Sequence, residues 1–194
     1  QITDEQREAI QYLYFCLRLA ALLHDTGHAP FSHQLENSNE IKAILKDKRT
    51  FKKLWKNENW KVYYKKAPEH LKHEHYSVRC AYEILKAISI ADEPYSIEPV
   101  DVLGIMETTD CEPSEKFVRI SKSILALFIL DEDIIETISS RDAAVKLKSL
   151  FRTIISGEID VDKMDYLLRD SYFSGCEYGV YNLDHLLSTI RFGF

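Results

Sequence analysis

From Leu13 to Leu23 the chain is almost continuously apolar, broken mainly by Arg18, and the run stops at an adjacent His24-Asp25 pair. Thr3 followed by Gln6 has the spacing of a capping box, so the pattern predicts a buried helix that starts near Thr3 and ends at that pair. An imidazole and a carboxylate are thereby expected at the rim of a core. Imidazole with carboxylate suits Mn, Fe, Zn or Mg, and the residues alone do not choose among them.

The rest of the chain reads as mainly α. Gly27 and Pro30 interrupt the first pattern, and a second short helix is expected from about Phe31 or Ser32 to the polar run Glu36-Asn37-Ser38-Asn39. Helical patterns recur at Leu71 to Ile88, with Val78, Ala81, Ile84 and Leu85 on one stripe, and at Phe117 to Leu130, Glu132 to Ser139 and Arg141 to Ile155. Ala91 to Pro99 and Thr108 to Ser114 read as loops. Strand alternation is not evident, and no repeat is apparent.

The segment from Ile159 to Ser174 separates into two faces at helical spacing. Asp162, Asp165, Tyr166, Arg169 and Asp170 share one, while Met164, Leu167 and Leu168 share the other. Gly175 and Gly179 are expected to end this helix, and Leu183 to Ile190 begins a last one.

Charge is unevenly spread. Ten Lys or Arg stand between Ile41 and Lys66 against Asp47 and Glu58, a local +8 in a chain of net −6, so the remainder carries −14. With Trp55, Trp60, Tyr63 and Tyr64 among its lysines and no clean period, the stretch 41–69 reads as an insertion packed on the body. Basic residues interleaved with aromatics can also bind single-stranded nucleic acid. That reading is not the favoured one, because the spacing follows no known module.

No run approaches the roughly 20 apolar residues of a membrane span. Cys16, Cys80, Cys111 and Cys176 are scattered without a CxxC pair, which argues against a disulfide framework or zinc ribbon and for a reduced, cytoplasmic setting. The length suits one domain over 1–194. Because the chain opens at Gln1 and directly into a helical pattern, it is expected to be a fragment of a longer protein.

His33 and Glu36 lie at i and i+3 on the short second helix, so their side chains can meet. A carboxylate beside an imidazole favours the imidazolium and suits proton transfer, although an exposed pair with only a small stabilising effect has the same spacing. His70, His73 and His75 offer an alternative zinc cluster, but no Cys or acidic partner stands at convincing spacing.

The stretch His24-Asp25-Thr26-Gly27-His28-Ala29-Pro30-Phe31-Ser32-His33 resembles the signature of the HD-domain phosphohydrolases. Its Gly-His-x-Pro-Phe-Ser-His form is similar to that of the deoxynucleoside triphosphate triphosphohydrolases, the dGTPase-like branch. Ile159 to Asp170, reading IDVDKMDYLLRD, is a second match, and Lys72-His73-Glu74 a shorter third. The resemblance covers about residues 10 to 90 and 150 to 190.

It implies an HD-domain helical bundle in which His24, Asp25 and Asp162 ligate one divalent metal ion, with His33 and Glu36 as the catalytic pair. It further implies that His28 and His73 line a phosphate channel, that Lys163 meets phosphate, that Tyr166 packs on the sugar, and that Asp170 accepts its 3′-hydroxyl. The reaction expected is hydrolysis of a dNTP to deoxynucleoside and triphosphate by a homo-oligomer. The alternatives are an HD phosphohydrolase on another nucleotide or phosphoester, and an inactive protein that senses nucleotides or binds nucleic acid. Family members carry a further His upstream of the pair, whereas no His precedes His24 here; that segment is expected to lie before Gln1, as others are expected beyond residue 194.

Overall fold

A computed structural model of the chain describes residues 2–47, 63–65, 72–88, 96–107, 109–127 and 132–190. Among these residues there are helices and turns and no strands, so the mainly α reading holds. The chain divides into two compact units, Gln1–Phe117 and Val118–Phe194, each described by itself.

The first unit is built on α1 (Asp4–Leu23), α2 (His33–Glu36), α3 (Asn39–Lys46), α4 (His73–Ala87) and α5 (Pro99–Met106). The capping box starts α1: Gln6 N–H donates to Thr3 Oγ1 at 3.1 Å, and Thr3 N–H donates to Gln6 Oε1 at 3.0 Å. Ala9, Tyr12, Leu13, Cys16, Ala20 and Leu23 form its buried line. The helix is therefore one-sided and not buried all round as its apolar run suggested, because Tyr14, Phe15 and Leu22 are exposed.

Helices α1, α4 and α5 pack against one another. Of the loop expected from Ala91 to Pro99 only residues 96–99 are described, and α5 begins at Pro99, in the first turn, where its missing N–H costs nothing. Its residues 101–106 are all buried, so no amphipathic period marks it in the sequence. Asp101, fully buried, ties α5 to Tyr12 of α1 and to Ser114. Its carboxylate accepts from Tyr12 Oη at 2.7 Å, from Ser114 N–H at 2.8 Å and from Ser114 Oγ at 2.6 Å. Desolvation first, and the neighbouring carboxylate among the lesser causes, hold the Tyr12 hydroxyl well above its usual range and push the Cys16 thiol up to about 12.

Two readings are corrected here. The stripe on α4 consists of Ser77, Val78, Ala81 and Leu85, while Ile84 is exposed. The start of the basic stretch is helical, as α3. Tyr63 and Tyr64 of that stretch are buried, Tyr63 edge-on to Tyr82, and Lys65 N–H donates to Asp110 Oδ2. Trp55 and Trp60, named with them in the basic stretch, lie outside the described residues.

The boundary between the units falls within α6 (Glu115–Leu125). The second unit continues with α7 (Glu132–Thr137), α8 (Ser140–Ile155), α9 (Val161–Ser174) and α10 (Leu183–Thr189). Ser139 caps α8, accepting from Asp142 N–H, and Asp160 caps α9, accepting from Lys163 N–H at 2.7 Å. Gly175, at φ 68°, ends α9 in the left-handed conformation that glycine takes without strain. The chain then folds back so closely that a Cβ on Gly179 would collide with the Leu167 carbonyl, and Gly179 N–H donates to buried Ser171 Oγ at 2.9 Å. None of the described helices is long and apolar enough to cross a membrane.

Candidate metal and phosphate site

The first unit delivers the His-Asp pair at the C-terminus of α1, where His24 is the cap residue. His24 Nδ1 lies 2.8 Å from the Ala21 carbonyl oxygen. That carbonyl can only accept, so the proton sits on Nδ1 and the lone pair on Nε2. Nε2 lies 3.4 Å from Asp25 Oδ1, close enough for one ion to touch both at the about 2.1 Å usual for imidazole nitrogen and carboxylate oxygen. The backbone acceptor behind the ring is the support a metal-ligating histidine ordinarily has. The pair fits a divalent metal.

The same Asp25 Oδ1 is 3.5 Å from His28 Nε2, so one carboxylate oxygen sits beside two imidazoles. His28 is then stacked on His73, ring centroids 3.8 Å apart and planes 16° from parallel, while His33 meets both rings edge-on at 5.0 and 5.2 Å. His28, His33 and His73 each offer a ring nitrogen within 4.8 Å of the others. His70, named with His73 and His75 as a zinc alternative, lies outside the described residues. His75 turns elsewhere: its Nδ1 accepts from Lys72 N–H, its ring meets Tyr64, and burial lowers its pKa.

Three local devices bring these rings together. A Cβ at Gly27 would collide with the Ser77 nitrogen and the His73 carbonyl, so only glycine lets the turn lie against α4. Gly27 N–H donates to Ser77 Oγ at 2.9 Å, which fixes that approach. Phe31 and Ser32 both have positive φ, 64° and 48°, a strained conformation for residues with side chains. Ser32 Oγ sits 3.2 Å from His28 Nδ1 and, being able to donate or accept, matches either tautomer of that ring.

Glu74 was named in sequence only as part of a short motif. Its Oε2 is buried without a hydrogen-bond partner among the described residues and lies 3.5 Å from His73 Nδ1. The side chain of Glu36 lies outside what the structure describes, so its pairing with His33 does too.

In the second unit, Asp162, Lys163, Tyr166 and Asp170 are on α9 and all half-buried. The Lys163 ammonium donates to the Asp160 carboxylate at 2.5 Å and to the Gly157 carbonyl at 2.8 Å, and the bond to Asp160 raises its pKa. Asp160 is 2% exposed and was given no role in the sequence beyond its place in the second motif, although an Asp before a helical run is an N-cap signal. Arg169 pairs with Asp165 at 3.1 Å and with Asp170 at 3.3 Å. A cleft of about 410 Å³ between α9 and α10 is lined by Asp160, Lys163, Met164, Tyr181 and His185, among others.

The described residues of the first unit are helices and turns that set a histidine and an aspartate beside a cluster of further imidazoles, a donor set suited to a divalent cation. The HD domain family matches residues 14–170, and the chain belongs to that family.

Its relatives include the Uncharacterized protein YwfO of Bacillus subtilis, 28% identical over 188 residues, 97% of this chain and 27% of YwfO. The Uncharacterized protein MG461 homolog of Mycoplasma pneumoniae is 28% identical over 163 residues, 84% of this chain and 25% of that protein. The Uncharacterized protein MJ1154 of Methanocaldococcus jannaschii is 54% identical over 43 residues, 22% of this chain and 10% of that protein. The chain thus spans about a quarter, or less, of the length of these relatives. No solved structure matches it.

Proposed function

We propose that the protein is a metal-dependent phosphohydrolase that hydrolyses deoxynucleoside triphosphates to deoxynucleoside and triphosphate. The observation that carries the reading is the convergence of His28, His33 and His73 beside the His24-Asp25 pair. A metal next to imidazole donors is the arrangement a polyphosphate needs at both its reacting and its spectator oxygens.

His24 and Asp25 hold the ion, and Asp162 of α9 supplies the distant carboxylate. When bound, the metal makes a hydroxide available near neutral pH and neutralises phosphate charge. His28 and His73 donate hydrogen bonds to phosphate oxygens. His33, exposed at the mouth of the cluster, moves a proton at the leaving oxygen or the attacking water, with Glu36 orienting it.

Lys163 contributes a compact positive charge, and Asp160 keeps its ammonium in place until phosphate competes for it. Tyr166 packs on the deoxyribose, leaving no room for a 2′-hydroxyl, and Asp170 accepts from the 3′-hydroxyl. The order of the two motifs along the chain supports these assignments. The partner is a nucleotide substrate, and the protein acts as a homo-oligomer in the cytoplasm.

The test is release of triphosphate and deoxynucleoside from each dNTP by the full-length protein with added Mn, beside Asp162→Ala. Product from the first and none from the second is expected. A folded, metal-loaded protein that leaves every dNTP intact would overturn the substrate assignment.

A further inference from the structure

We infer that Phe31 is a stacking platform for the nucleobase of the substrate, placed beside the histidines that meet its phosphates. Two observations carry this. Phe31 is the most exposed large apolar side chain among the described residues, at 85%. It also holds φ at 64°, in the left-handed region where a bulky side chain is strained.

Neither feature is needed to build the turn. Ser32 N–H donates to the Ala29 carbonyl at 2.8 Å, Gln34 N–H to the Phe31 carbonyl at 3.1 Å, and Leu35 N–H to the Ser32 carbonyl at 3.1 Å. These are backbone bonds, which glycine at position 31 would make equally well and without strain. So exposed a ring adds little to the core, and its apolar surface is unfavourable in water. The fold thus carries a phenylalanine where it loses stability twice, and the reason lies in what the ring can touch.

Phe31 stands two residues before His33, so their Cα atoms are at most about 7 Å apart. A nucleobase is joined to its phosphates through one sugar, and a ligand held by phosphate at the exposed His33 has its base within reach of such a ring. Beyond Pro30 the neighbouring side chains, Ser32, His33 and Gln34, are polar, which makes Phe31 a single ring and not the edge of an apolar patch for a protein partner. A planar base is the part of a nucleotide that gains from a flat apolar face. Because every base has such a face, the contact adds affinity without choosing among the four bases. The hydrogen bonds on either side of Phe31 fix the backbone that carries the ring, so less ordering is lost on binding. This role rests on the phosphate contacts proposed above for His28, His33 and His73.

The experiment separates base from phosphate. The full-length protein, stripped of metal so that nothing is hydrolysed, is titrated by calorimetry with dATP and with inorganic triphosphate. Phe31→Gly is expected to weaken dATP binding roughly tenfold, the scale of one base stacked on one ring, and to leave triphosphate binding unchanged. Phe31→Trp is expected to restore dATP binding. In urea denaturation Phe31→Gly is expected to show an equal or higher midpoint, because the strain removed outweighs the freedom added to the unfolded chain. Unchanged dATP affinity in Phe31→Gly, an equal loss for both ligands, or a lower midpoint would overturn the inference. The dATP difference without dNTP hydrolysis by the metal-loaded protein would keep the base contact and remove the proposed reaction.

Discussion

The rings of His28 and His73 stack at 3.8 Å, although one sits in the loop after α1 and the other opens α4. The contact exists because Gly27 lies against the α4 backbone, where a side chain has no room. Gly27→Ala is therefore expected to push the turn off α4, with a cost of about 1–3 kcal/mol as for other overpacked sites. Urea denaturation measures the loss. An unchanged denaturation midpoint would show that the close approach is not required.

Asp101 holds three donors from two other segments in a site closed to water. Asp101→Ala leaves the Tyr12 hydroxyl and both Ser114 donors without their acceptor, and a loss of about 3 kcal/mol or more is expected. The denaturation midpoint should fall with little change in slope. Because the network lies between α1, α5 and the start of α6, the variant should bind metal normally at temperatures where it is folded.

On α9, Asp160 both caps the helix and holds the Lys163 ammonium. Asp160→Ala should cost about 1 kcal/mol for the lost cap, read as a lower Tm. Lys163→Ala should leave the helix cap intact and raise KM for a dNTP about tenfold or more, the scale of one charge-assisted hydrogen bond. Equal KM in Lys163→Ala and wild type would remove this residue from phosphate binding.

His75 gives the folded state a pH dependence of predictable sign. Burial lowers its pKa below the ordinary 6.5, against the opposing pull of Glu74 and Glu107. The unfolded chain therefore takes up the proton first as pH falls. Stability from this group is constant above about pH 6.5, declines as pH drops through that value toward the folded pKa, and levels off below it. His75→Gln should flatten that decline in denaturation series between pH 7.5 and pH 5. An equally steep decline in the variant would assign it to other groups.

Much of this protein is legible in its residues one segment at a time. The capping box at Thr3 and Gln6, the end of α1 at His24 and the two-faced pattern of α9 are local: each depends on contacts within a turn or two, which spacing encodes directly. The motif around His24, Asp25, His28 and His33 identified the HD domain for the same reason. Helix α5 escaped because it is buried on nearly every side and so shows no period, and α3 because it is only eight residues long and runs into the basic stretch.

Tertiary structure alone decided the rest. Nothing local in Gly27 says that its missing Cβ makes room for the α4 backbone, in Glu74 that one oxygen is buried beside His73, or in Asp101 that it serves donors from distant segments. Those properties belong to the space between elements. Sequence determines which side chains an element carries, while burial and the donors left without water determine what each polar group must do.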